Sequence, residues 1–118
     1  GNTTMLFSGG KIKIEKVNFE TIPTNAAANE IFIPIASIEF PLIVRRWQQG
    51  DYFYPLGLNK KKKISRLLID LKLSATAKEK IFVVETNKKI IWLIGIRLDH
   101  RFRLQTTSGE AWHFTYLK

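Results

Sequence analysis

Apolar and polar positions alternate from Lys11 to Phe19, with Ile12 and Ile14 on one side, lysines on the other, and a slip near Lys16. A period of two predicts a strand with one wet face. Ile31 to Ile35 is a short apolar strand, and Pro34, which cannot donate to a sheet ladder, places it at an edge or a strand end. Residues 21–29, with Pro23 and three alanines, show no pattern and read as a loop. Ser37 to Phe40 fits one helical turn. Leu42 to Trp47 is a further strand that ends in Arg45 and Arg46, and Gln49, Gly50 and Asp51 form a turn.

Tyr52 to Gly57 reads as an aromatic loop broken by Pro55 and Gly57, and four lysines, Lys60 to Lys63, extend it. Ile64, Leu67, Leu68 and Leu71 then recur at i, i+3, i+4 and i+7, which makes one apolar face of a short helix. Ser74 to Lys80 fits a second short helix with Ser74 as its N-cap. Ile81 to Glu85 is a strand of the buried type, turned by Asn87 and Lys88 into Ile90 to Gly95. That partner is apolar throughout, so a central position is expected for it. Residues 96–102 alternate, 106–109 read as a loop, and Ala111 to Leu117 alternates with Trp112, Phe114 and Tyr116 on one face. The pattern predicts six or seven strands and one clear helix: a β-dominated α+β domain.

A chain of 118 residues is the size of one domain and can bury a core of its own. It has no cysteine, which excludes disulfides and thiolate metal sites and fits a reducing, cytoplasmic setting. No apolar run approaches the length of a membrane span, and the first residues lack the basic and apolar regions of a signal peptide. Charge changes the picture more. The net charge is +9, yet residues 1–40 hold three lysines against four glutamates, while residues 41–118 hold sixteen Lys and Arg against six Asp and Glu. Such asymmetry points to a polyanionic partner, nucleic acid first.

Candidate catalytic chemistry is thin. Phe7-Ser8-Gly9-Gly10 has the glycines of a phosphate loop, but Lys11 to Ile14 continues as a strand rather than a helix, so a plain turn is the better reading. His100 and His113 have no Cys or Glu at metal-ligand spacing. Asp51, Asp70 and Asp99 could do acid–base work as pairs. Each has basic neighbours, however: Arg45 or Arg46, Lys72, and Arg97 or Arg101 respectively. Structural ion pairs are the simpler account. The run Lys60, Lys61, Lys62 and Lys63 with Arg66 is a dense positive site of the kind a phosphate backbone occupies with counterion release. Trp47, Tyr52, Phe53 and Tyr54 nearby could stack on unpaired bases, although Phe53 and Trp92 read as core.

The order of these motifs is specific. Pro41-Leu42, Val44-Arg45-Arg46, Gly50-Asp51, Phe53, Pro55-Leu56-Gly57, Lys62-Lys63-Ile64-Ser65, Ile69-Asp70, Lys72-Leu73, Ile91-Trp92, Gly95, Arg97, Asp99 and Arg101-Phe102 resemble the C-terminal domain of bacterial tRNA(Ile)-lysidine synthetase. The resemblance covers residues 39–104; residues 1–38 match it loosely and are expected to supply leading strands of the same domain, with 39–118 as its main part. It departs from the family pattern at Asn59-Lys60, where a glycine is usual, and at Ser74 to Lys80, where a proline often follows the helix.

The resemblance implies a fold similar to a domain of the phenylalanyl-tRNA synthetase β-subunit, with sandwich-like sheets and one central helix after a basic loop. It implies a parent enzyme that uses ATP, with Mg2+, to join lysine to the wobble cytidine of a minor isoleucine tRNA. The nucleotide loop of that enzyme, Ser-Gly-Gly-x-Asp-Ser, belongs to an N-terminal catalytic domain. This chain is therefore expected to bind and orient tRNA, on its acceptor-stem side, without catalytic residues, cofactor, metal or membrane of its own. The tRNA-contacting residues expected are Arg45, Arg46, Lys60, Lys61, Lys62, Lys63, Arg66, Arg97 and Arg101, with Asp51, Asp70 and Asp99 structural. The alternatives are a general RNA- or DNA-binding module, a small hydrolase built on the three aspartates, and a basic protein-interaction domain.

Overall fold

The computed structural model describes residues 3–23, 26–105 and 108–118. Parts of the loops expected at 21–29 and 106–109 lie outside the described residues. In chain order the strands are β1 (Thr3–Phe7), β2 (Gly10–Asn18), β3 (Glu30–Pro34), β4 (Ile43–Arg46), β5 (Tyr52–Phe53) and β6 (Lys62–Lys63). The helices α1 (Ile64–Asp70) and α2 (Ala75–Glu79) follow, then β7 (Phe82–Thr86), β8 (Lys89–Leu93), β9 (Arg97–Leu98) and β10 (Glu110–Leu117). The fold is the β-dominated α+β architecture that the pattern predicts.

Two four-stranded antiparallel sheets face each other, one ordered β1-β2-β10-β3 and the other β4-β7-β8-β9. In the first, Ile14 lies opposite Phe114 and Ile12 opposite Tyr116, so the alternating residues of β2 and β10 form one apolar face. Pro34 ends β3, itself an edge strand, where its missing N–H costs no ladder bond. That face meets Val84, Ile91, Trp92 and Ile94 of the second sheet in one core cluster. The other face of the second sheet gives Val83, Ile90 and Leu93 to a second cluster with Phe53, Ile64, Leu67 and Leu68. The second sheet is thus covered on both sides, which is why β8 is apolar at nearly every position.

A β-bulge interrupts the alternation of β8. Val84 pairs with Trp92 and Glu85 with Ile90, so Ile91 is the extra residue of β8. Its carbonyl turns to accept the N–H of Asp99 at 2.7 Å.

Several expectations are corrected by the structure. The helical turn expected at Ser37 to Phe40 lies two residues earlier, at Ile35–Ser37, where the Ser37 hydroxyl donates to the Pro34 carbonyl. Among the described residues ten strands replace six or seven, because β1 and the two-residue strands β5 and β6 have no periodicity to read; β9 is the strand part of the alternating segment 96–102. Lys62 and Lys63 are not loop residues: they pair with Phe53 and Tyr52 in a two-stranded ribbon. The apolar face of α1 ends at Leu68, and Leu71, which caps the helix, is 42% exposed. Ser74 does cap α2, accepting the Ala77 N–H at 3.1 Å. No helix among the described residues is long and apolar enough to cross a membrane.

The end of the helix face is testable. Leu68→Ala should cost about 2–5 kcal/mol, the range for emptying a core site. Leu71→Ala should stay within about 0.5 kcal/mol, as for surface changes. Urea unfolding of both variants checks this, and equal losses would place Leu71 in the core after all.

Candidate nucleic-acid interface

Three aspartates organise the basic side chains. Asp99 is fully buried. Its carboxylate accepts the Tyr54 N–H at 3.0 Å and the Arg101 N–H at 2.7 Å, and Arg101 returns to it through Nε at 3.1 Å and Nη2 at 2.9 Å. Four donors satisfy a charge that would otherwise be costly to bury. The same segment accepts the chain after β5: Leu56 N–H donates to the Leu98 carbonyl and His100 N–H to the Tyr54 carbonyl. Arg101 also lies over the Tyr54 ring, 4.4 Å from its centroid. The hydrogen bond to Asp99 raises its pKa against the opposing effect of burial.

Arg45 is held as firmly. Its Nη1 and Nη2 form a fork on Asp51 at 2.9 and 3.1 Å, and its Nε donates to Glu85 at 2.9 Å. The bond to Asp51 is the chief cause of its raised pKa; burial opposes it and Glu85 assists. Asp51 in turn accepts the Gln48 N–H at 2.7 Å and gives its carbonyl to the Ile64 N–H, so the Arg45 fork fixes both the Gly50 turn and the start of α1. Asp70 pairs with Lys62 at 2.7 Å, not with its sequence neighbour Lys72. Asp70 is exposed and Lys62 is half-buried, and the Lys62 hydrogen bond lowers the Asp70 pKa. Whatever stability the pair adds is present above the ordinary aspartate range and is lost as pH falls through the lowered value.

A run of four solvated lysines is the expectation, and the structure differs at one of them. Lys62 is half-buried and neutralised by Asp70. Lys61 sits over the Tyr52 ring, 3.8 Å from its centroid, and Tyr52 is 42% exposed beneath it. Lys60, Lys61 and Lys63 are exposed and make no ion pair among the described residues. Arg66 is exposed on α1, close enough to Asp70 to act on its charge.

The remaining cations go elsewhere. Arg46 lies over the Phe82 ring at 5.8 Å and lines a shallow cavity with Trp47 and Lys78. Trp47 is anchored there by Nε1–H donating to the Lys78 carbonyl at 2.7 Å, so it is fixed by the fold. Arg97 borders a groove of about 820 Å³ with Arg103, Leu98 and Trp92. The expected cations therefore fall on separate parts of the surface, while Arg45 and Arg101 border one cleft together with Tyr52. Sequence reasoning passed over Lys88 and Lys89, which line the same cleft; the signal available was a lysine pair at a predicted hairpin tip. Phe53 and Trp92 are core residues, 0% and 1% exposed. The three aspartates do not gather; each has its own cation.

Fold and surface together define a basic, β-dominated α+β sandwich domain with an uncompensated lysine segment at the edge of a small aromatic ribbon. The chain belongs to the TilS substrate C-terminal domain family, whose model matches residues 42–115. It is similar to the tRNA(Ile)-lysidine synthase of Parabacteroides distasonis, with 34% identity over 68% of this chain and 18% of that protein. It is similar also to those of Bacteroides thetaiotaomicron, 48% identical over 57% of this chain and 16% of that protein, and Oceanobacillus iheyensis, 32% identical over 93% and 23%. The chain thus matches less than a quarter of the length of these relatives. A crystal structure of a TilS C-terminal domain superposes with a TM-score of 0.76 at 21% identity, covering 97% of this chain and 88% of that one, which shows the shared fold.

The buried carboxylate separates structure from surface. Asp99→Ala removes one partner of a buried pair and leaves the Tyr54 and Arg101 donors unmatched. It should destabilise the domain by about 3–5 kcal/mol. Asp70→Ala, at an exposed pair, should barely move the melting temperature. Thermal and chemical unfolding of the two variants give the comparison, and similar behaviour would contradict it.

Proposed function

We propose that this domain binds tRNA for a tRNA(Ile)-lysidine synthase, gripping the phosphate backbone and orienting the acceptor-stem side while a separate catalytic domain works on the anticodon. The observation that carries the reading is the set of unpaired lysines, Lys60, Lys61 and Lys63, beside exposed Tyr52 in a domain of this family. Like charges this close repel one another, and a phosphate backbone relieves the repulsion while releasing condensed counterions. Contacts of this type position a nucleic acid without reading its sequence. Choice of one tRNA then comes from several domains acting together.

In the parent protein, ATP with Mg2+ activates the tRNA and lysine is joined to the wobble cytidine; those groups belong to the catalytic domain. This domain contributes affinity and orientation, in the cytoplasm. Among the cations named from the sequence, Lys61 and Lys63 are the best placed to touch phosphate. Lys62 is opposed by Asp70, and Arg45 and Arg101 already carry carboxylates.

The test is tRNA affinity at several salt concentrations. Lys61→Ala with Lys63→Ala should weaken binding and flatten the slope of log K against log salt by about 1–2 units, since each phosphate contact contributes about 0.7–0.9. Lys62→Ala should flatten it less. An unchanged slope in the double variant rules out the lysine segment as the contact. Equal affinity for unrelated RNA duplexes would favour a general RNA-binding module. Retention of the catalytic domain with no RNA affinity at all would favour a protein-interaction domain.

A further inference from the structure

The turn between β7 and β8 is a two-residue hairpin in which Asn87 and Lys88 both have positive φ, 46° and 65°. Such turns favour glycine at the second position, because a side chain there crowds the backbone. This chain carries Lys88 there, followed by Lys89, both exposed and neither in an ion pair among the described residues. Two hollows flank the hairpin base, of about 90 and 230 Å³, and both are lined by Lys89 and Arg101. Arg101 spends Nε and Nη2 on Asp99, while its Nη1 makes no hydrogen bond among the described residues. The smaller hollow is bordered by Arg45, which Asp51 and Glu85 neutralise, and by Tyr52, the ring on which Lys61 lies. Glu39, at the larger hollow, makes no ion pair among the described residues.

We propose that the β7–β8 hairpin tip is a second phosphate-contact point for RNA, in which Lys88, Lys89 and the free edge of Arg101 hold one backbone phosphate. Tyr52 makes it continuous with the lysine segment before α1. A guanidinium fixed on one side by a buried carboxylate presents its other side without rotamer loss, and the two ammonium groups supply charge that nothing in the fold consumes. Two contact points joined through an aromatic ring follow a strand of backbone, where a single lysine cluster would meet it at one place. The inference rests on the RNA-binding reading above and adds to it a position and residues.

Lys88→Gly is the informative variant, because it relieves the turn while removing the charge. The hairpin as a contact point predicts a higher melting temperature together with about two- to tenfold weaker tRNA binding at moderate salt. It also predicts a salt slope flatter by about 0.7–0.9. Lys88→Gly with Lys89→Ala should weaken binding further but flatten the slope no more, since both lysines serve one phosphate. Glu39→Gln should tighten binding, and Lys11→Ala, on the opposite sheet, should change nothing. A more stable Lys88→Gly protein with unaltered tRNA affinity and slope overturns the proposal, while tRNA binding by the wild-type chain keeps the broader reading. Failure of the wild-type chain to bind tRNA overturns both. Inorganic phosphate that displaces tRNA beyond the effect of chloride at equal ionic strength would assign the hollows to a free anion and overturn the RNA assignment.

Discussion

Strand β8 is buried on both faces, and most of the molecule is arranged around that constraint. Trp92 and Ile91 pack toward the sheet made by the chain's two ends, while Ile90 and Leu93 pack toward α1 and Phe53. A flat, regular strand would present alternate residues strictly to the two sides; the bulge at Ile91 breaks that count and gives two consecutive residues to the larger core. It also frees a backbone carbonyl for Asp99, which ties the bulge to the segment that carries Arg101. The packing of the core and the placement of a basic surface residue are thus consequences of one extra residue.

With both faces of the second sheet occupied by apolar side chains, charge is confined to the rim, and there the acidic residues choose which cations remain available. Asp51, Asp70, Glu85 and Asp99 take up Arg45, Lys62 and Arg101 through hydrogen-bonded pairs. Among the cations without an ion pair in the described residues, Lys60, Lys61 and Lys63 lie at the β5–β6 ribbon and Lys88 and Lys89 at the neighbouring hairpin, while Arg46, Arg66, Arg97 and Arg103 lie elsewhere on the surface. Counting basic residues overstates the charge available to an anion, because a guanidinium held by a carboxylate keeps the hydrogen-bond donors of its free edge but little net charge. The unpaired lysines, fewer in number, are the better guide.

Much of this was legible in the sequence wherever burial had imposed a period. The alternation in β2 and β10, the apolar run of β8, the spacing of Ile64, Leu67 and Leu68, and the Ser74 cap each correspond to the element found. The ordered motifs led to the family. Three things were not legible. Strands of two residues have no period, so Tyr52-Phe53 and Lys62-Lys63 read as loop although they pair. Leu71 fits the helical spacing, but the helix ends one residue earlier and turns it out. Partner choice among charges depends on tertiary distance: Lys72 is next but one to Asp70 in sequence, yet Lys62 reaches it across the ribbon. The cleft shared by Arg45, Arg101, Lys88 and Lys89 joins segments more than fifty residues apart, and no local pattern announces it.

The central claim is that the unpaired cations around Tyr52 form the surface that meets RNA. Backbone amide chemical shifts of the isotope-labelled chain, followed through a tRNA titration, test it most directly. The account predicts the largest changes at Tyr52 to Tyr54, Lys60 to Arg66, Lys88, Lys89 and Arg101, with β1 and the amides of Lys11 and Lys13 silent. Changes confined to the β1–β2 side, or spread evenly over every exposed lysine, would contradict it.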